Sequence, residues 1–178
     1  CSALEHVDDL YSLTRLEYDV FSHCVSLISV DCSDKLTAIG SSAFFGCKAL
    51  VSIGDLSNVT SIESSVFRGC IALKSIGNMP KLESIGMQCF MGCTALETVG
   101  DLSSLKEIPS ETFDGCTSLV SIGDLNNVES IANEAFSNCS ALEHVDKLDK
   151  ITSIGQNAFK GCTALKSIGS LHNLETIG

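Results

Sequence analysis

CIALKSIGNMPKLESIGMQCFMG, residues 70–92, is one period of a chain that copies itself from end to end. Its leading cysteine returns every 23 residues, at Cys1, Cys24, Cys47, Cys70, Cys93, Cys116, Cys139 and Cys162. The 178 residues therefore divide into seven full repeats and a truncated eighth. With positions counted from the cysteine as zero, +3 is Leu in all eight copies (Leu4 to Leu165) and +6 is only Val or Ile (Val7 to Ile168). Position +9 is mostly Leu, +12 is Leu, Val or Ile, +15 is Ile except at Leu16, and +20 is Phe in every copy that reaches it.

An apolar residue at every third position matches neither the 3.6-residue period of a helix nor the two-residue period of a strand. It predicts a chain that keeps turning corners around a narrow interior. Charge at +4 (Glu5, Lys74, Glu97, Glu143, Lys166) and polarity at +13 (Thr14, Thr37, Thr60, Glu83, Lys106) confine the straight pieces to two short strands, around +5 to +7 and +14 to +16. Stacking would pair each strand with its equivalent in the next copy, in parallel, and so satisfy its backbone groups. The end of the period reads as one helical turn. Position +17 often carries a capping residue (Ser41, Ser64, Ser110, Asn133), and +22 is Gly or Asn in six copies, from Gly46 to Gly161, as a left-handed terminus requires. Between these caps the Phe would fill the core of each layer.

The template C-x-x-L-x-x-I-G-x-L-x-x-L-x-x-I-G-x-x-A-F-x-G, seen in Cys70 to Gly92 and Cys139 to Gly161, resembles the BspA-like leucine-rich repeats over the whole chain. The 23-residue period and the A-F-x-G-C junction, at Ala43 to Cys47 and Ala158 to Cys162, carry the resemblance. Where that family usually has Leu-Pro after the first strand, this chain has Gly-Asp at Gly54, Gly100 and Gly123. The fold class expected is α/β: a right-handed leucine-rich-repeat solenoid with short parallel strands and one short helical turn per repeat. Residues 1–178 form a single repeat domain, expected to be a segment of a longer array because neither end shows a polar capping repeat. The resemblance implies a non-enzymatic cell-surface or secreted protein, extracellular in location, that mediates adhesion or protein recognition. The partner it implies is a protein or glycan ligand on a host surface or matrix. The alternative is a structural subunit of an extracellular fibre or scaffold, built by head-to-tail self-association of solenoids.

Composition limits the other classes. With 22 acidic and 11 basic residues the net charge is -11, which disfavours nucleic acid and anionic membranes as partners. Polar residues interrupt each apolar run well short of the roughly 20 residues that membrane insertion needs. Columns of like residues do not bring unlike groups together, so no catalytic constellation is expected from His6, His23, His144 and His172. No cofactor is expected either. Without a C-x-x-C pair the cysteine column offers no structural zinc site. It could form a disulfide ladder, since neighbouring layers lie about 4.8 Å apart. Small buried thiols explain a column that is the same in every repeat more simply. Off the column, Cys89 takes the small +19 position, and Cys32, at +8 in a turn, is the candidate exposed thiol. Acid gathers after the first strand, at Asp9, Asp55, Asp101 and Asp124, where a calcium edge competes with the local turn chemistry that Asp commonly supplies.

The candidate binding face is the outward +5 column: His6, Ser29, Ser52, Ser75, Thr98, Ser121, His144 and Ser167. With a largely Ser +14 column it predicts two flat, hydroxyl-lined sheets suited to a shallow protein or glycan ligand. The first copy departs most from the template, through Tyr11, Arg15, Tyr18 and Asp19, a candidate contact patch or cap.

Overall fold

The computed structural model describes residues 1–178, the side chain of Asp9 excepted. Each repeat contributes two strands. They run β1 (His6–Leu10) and β2 (Arg15–Leu16), β3 (Ser29–Cys32) and β4 (Ala38–Ile39), β5 (Ser52–Ile53) and β6 (Ser61–Ile62), then β7 (Ser75–Ile76) and β8 (Ser84–Ile85). The second half continues with β9 (Thr98–Val99) and β10 (Glu107–Ile108), β11 (Ser121–Ile122) and β12 (Ser130–Ile131), β13 (His144–Val145) and β14 (Ser153–Ile154), β15 (Ser167–Ile168) and β16 (Thr176–Ile177). All pairings are parallel and join like positions one repeat apart, for example Ser29↔Ser52 and Ile62↔Ile85, except where a register shift in β1 sets Leu10 against Cys32. The chain is thus a parallel-strand solenoid. In the two-residue strands the +5 or +14 side chain, polar except at Ala38, faces out and the +6 or +15 aliphatic faces in, except at exposed Ile177 in β16, the alternation that a pleated backbone imposes.

The ladders are not continuous. First strands form groups β1-β3-β5, β7-β9-β11 and β13-β15, and second strands form β2-β4-β6-β8 and β10-β12-β14-β16. The second break has a direct cause. Other copies close this ladder with the +16 amide, as in Gly86 N–H to the Ile62 carbonyl at 2.8 Å and Ala132 N–H to Ile108 at 2.9 Å. The residue at that position beside β10 is Pro109, which has no N–H to give.

Among the described residues no helix forms, so the expected helical turn is replaced by a corner strip. Residues at +18 are left-handed throughout (Asp19, Ser42, Ser65, Gln88, Glu111, Glu134, Asn157, φ 56 to 59), which interrupts any run of helical dihedrals. The amides then point along the solenoid axis. Ser65, Phe67 and Gly69 N–H groups donate to the carbonyls of Met87, Cys89 and Met91, at 2.9, 2.8 and 2.8 Å, all in the following repeat. The left-handed +22 residues are present as the glycines implied, at Gly46, Gly69, Gly92, Gly115, Gly161 and Asn138, with His23 a seventh. Ser41 is no helix cap: its N–H and Oγ both donate to Glu63 Oε2, at 3.0 and 2.9 Å.

Inside, the Leu, Val and Ile columns and the small +19 residues form one continuous core. Seven phenylalanines, from Phe21 to Phe159, stack with ring centroids 5.2 to 5.5 Å apart. The cysteine column explains itself alongside them. Each thiol from Cys47 to Cys162 donates to the carbonyl of the Phe 26 residues back, as Cys93 Sγ to Phe67 O at 3.0 Å and Cys116 Sγ to Phe90 O at 3.1 Å. The same carbonyls accept the amide of the cysteine three residues on, Cys70 N–H to Phe67 at 3.0 Å and Cys93 N–H to Phe90 at 3.0 Å. Position zero therefore needs a residue small enough for the core that still carries one donor.

All ten cysteines are free thiols. Cys89 is fully buried, as its small position implies. Cys32 corrects the sequence reading. It closes strand β3 rather than lying in a turn, it is half-buried, and burial pushes its thiol up to about 11. The exposed thiol is Cys1. Burial raises Cys47 to about 11 and holds Cys70, Cys93 and Cys116 well above the ordinary range. A thiol-reactive reagent at neutral pH should therefore label Cys1 in the native chain and reach the buried cysteines only after denaturant is added. Fast modification of several column cysteines in the native state would contradict this packing.

Candidate functional site

The +5 residues fall where the alternation places them, at the outward start of the first strand of each repeat, and all are exposed except the half-buried Ser29. The structure brings them together in runs rather than as one floor. Ser29 lies between His6 and Ser52, and Thr98 between Ser75 and Ser121, while His144 pairs with Ser167. Two histidines lock onto the next layer: His6 Nδ1 lies 2.9 Å from Ser29 Oγ, and His144 Nδ1 2.7 Å from Ser167 Oγ. Beside the second pair, Lys166 Nζ bonds Glu143 Oε2 at 2.8 Å and holds that carboxyl below its usual range, with His144 Nε2 4.0 Å from the same oxygen. The ladder is a low, hydroxyl-rich surface edged by a few paired charges.

The acidic turn behind it is occupied by its own backbone. Asp55 Oδ1 accepts the Ser57 amide and Asp101 Oδ1 the Ser103 amide, both at 2.8 Å. Asp124 pairs with Lys147. The Asp9 side chain lies outside the described residues. No group of three His, Cys, Asp or Glu residues able to hold a metal ion occurs among the described residues, and no helix long and apolar enough to cross a membrane occurs among them.

In the first repeat Arg15 reaches across two layers to Glu63, Nη2 to Oε1 at 2.6 Å, and this bond is the main cause that lowers the Glu63 carboxyl. Arg15 is thus a strut. Tyr11 and Tyr18 stay largely exposed, at 63% and 73%.

A second surface went unread in the sequence. At the corner joining one repeat to the next, positions +21 and +1 line an open, mostly apolar cleft of about 430 Å³ across repeats two to four. Val25, Phe45, Ile71 and Met91 form its floor, with Lys48 and Arg68 among them. Its signal was variation rather than repetition, because these columns are polar in later copies.

A solenoid of parallel strands with 23-residue turns, a Leu column and a Phe stack defines a leucine-rich repeat protein. The sequence matches the BspA type Leucine rich repeat region, in six copies, over residues 1–97 and 83–178. The chain belongs to that family. A leucine-rich repeat protein of T. pallidum is 30% identical, with a TM-score of 0.83 over 90% of this chain and 75% of that one. A leucine rich cell surface protein of Faecalibacterium prausnitzii is 25% identical, with a TM-score of 0.62 over 95% of this chain and 60% of its own. A leucine-rich repeat protein of Eubacterium ventriosum shares the fold at 18% identity, with a TM-score of 0.70 over 99% of this chain and 61% of its own. No match is found among curated proteins.

Proposed function

We propose that this chain is the recognition segment of a cell-surface or secreted protein and binds a protein or glycan without chemistry on it. The observation that carries this reading is the +5 ladder, three runs of hydroxyl and imidazole side chains, all exposed but Ser29, repeated at one strand spacing within each run on a rigid scaffold. The F. prausnitzii relative, described as a cell surface protein, supports the location. Small hydroxyl residues lose little conformational entropy when covered, which suits a shallow, extended ligand whose affinity comes from many weak contacts. Wide aromatic anchors, which dominate tight interfaces, are absent from this ladder.

The test is binding of the purified chain to arrayed matrix proteins and glycans, followed by the triple variant Ser75→Arg, Thr98→Arg, Ser121→Arg on the hits. These three residues are adjacent and exposed on one ladder, so the variant should weaken binding at least about tenfold with the solenoid intact by circular dichroism. Unchanged binding by the folded variant would remove this ladder from the reading. A chain that binds nothing on the arrays would count against recognition itself.

A further inference from the structure

We propose that the corner cleft of repeats two to four is a separate docking site for an acidic polypeptide segment bearing apolar side chains. It lies on a different edge from the +5 ladder and does not depend on that ladder having a ligand.

The internal repeats supply the control. At +1, copies two and four carry Val25 and Ile71, where later copies have Thr94, Thr117, Ser140 and Thr163. At +21, Phe45 and Met91 stand where Asp114, Ser137 and Lys160 follow. The same backbone thus folds with polar residues at both positions, so the solenoid does not require the apolar ones. Val25 and Ile71 are nonetheless 40% and 46% exposed, a standing cost in water unless something covers them.

Charge names the occupant. The cleft lining holds Lys48 and Arg68 and no Asp or Glu. Among the described residues neither cation is ion-paired, a state they share with Lys35, Lys74, Lys81, Lys150 and Lys160, so the charge of the cleft rests on the absence of acid from its lining. Arg68 is held in place instead of neutralised. Its Cζ sits 5.8 Å from the Phe45 ring centroid, and Nη1 donates to Gln88 Oε1 at 2.8 Å. Gln88 Nε2 in turn donates to Glu111 at 2.9 Å. His23 meets Phe45 edge-on at 5.0 Å and closes one side. An anion over Arg68 and Lys48 with apolar side chains against Val25, Phe45 and Ile71 satisfies both halves of this surface. The chain as a whole repels acid, but at physiological ionic strength charges beyond about 8 Å are largely screened, and the local pair decides.

The experiment uses three fluorescent, disordered peptides: one of Glu, Phe and Leu, its counterpart with Lys for Glu, and polyglutamate. At physiological salt the Glu-Phe-Leu peptide should bind, and the other two at least about tenfold more weakly. The variant Arg68→Ser, Ile71→Thr installs residues that the chain already uses at these positions, so folding is preserved, and it should lose at least about tenfold in affinity for that peptide. The +5 triple variant should bind the peptide unchanged. Equal binding of the Lys peptide, no binding of the Glu-Phe-Leu peptide, or indifference to the double variant overturns the proposal. So would a chain dimer in sedimentation that the double variant breaks, or binding to anionic phospholipid vesicles in place of peptide, each assigning the cleft a different occupant.

Discussion

Replacing Phe90 by Ala should lower the stability of the array by about 3–5 kcal/mol and divide its unfolding into two transitions. Phe90 is fully buried, with Phe67 at 5.2 Å on one side and Phe113 at 5.4 Å on the other. The layers cannot close over the lost ring, because its backbone is tied at both ends. Phe90 N–H donates to Thr112 O at 2.8 Å, and its carbonyl receives the Cys116 thiol. A void therefore remains, and the cost includes that void as well as the lost burial. Around Phe90 the core contacts run between adjacent layers, so one weak joint uncouples the halves on either side. Half-buried Phe159 has a ring neighbour on one side, Phe136, and Phe159→Ala should cost about half as much. Urea titrations followed by circular dichroism measure both. A single transition shifted by less than about 1 kcal/mol for Phe90→Ala would contradict the packing.

Gly123→Ala and Gly77→Ala, the same change at the same +7 position, should behave in opposite ways. A Cβ on Gly123 would press into the carbonyl oxygen of Gly100, inside van der Waals contact and against backbone that cannot swing aside. Two layers must part, at a cost of about 1–3 kcal/mol or more. At Gly77 a Cβ meets nothing within 4 Å, since this is where the first ladder breaks between β5 and β7. There the methyl is free, and restricting the unfolded chain should make Gly77→Ala neutral or stabilising by about 0.5 kcal/mol. Thermal melts of the two variants side by side decide the matter. Equal destabilisation by both would mean that the two junctions are packed alike.

The columns made the solenoid legible because burial acts on each repeat in the same way: Leu73, Ile76, Ile85 and Phe90 face inward for reasons visible within 23 residues. The corner strip was not legible. Its left-handed +18 residues are Asp, Ser, Gln, Glu and Asn, with no glycine to announce the turn, and its amides find partners a whole repeat away. Ser41 looked like a cap for the same reason, since its real partner, Glu63, is 22 residues distant. Pro109 was visible but went unread as a ladder breaker, because the donor it lacks matters only once the strands are stacked. Of the surface, the outward direction of the +5 column followed from charge and alternation, whereas its division into runs did not. The corner cleft escaped because attention to what repeats passes over what differs between copies.

The relay through the Phe carbonyls, each taking the amide of the cysteine that opens the next repeat and the thiol of the cysteine that opens the one after, bears on how such a gene can change. Contacts between layers recur at the same sequence offsets in successive copies, so an in-frame crossover between misaligned repeats adds or removes a layer and creates no new kind of interface. Cys1 to Asp8 and Cys139 to Asp146 are the same octapeptide, a trace that such an exchange would leave. Selection can then set the length of the array and the residues on its surface independently of one another.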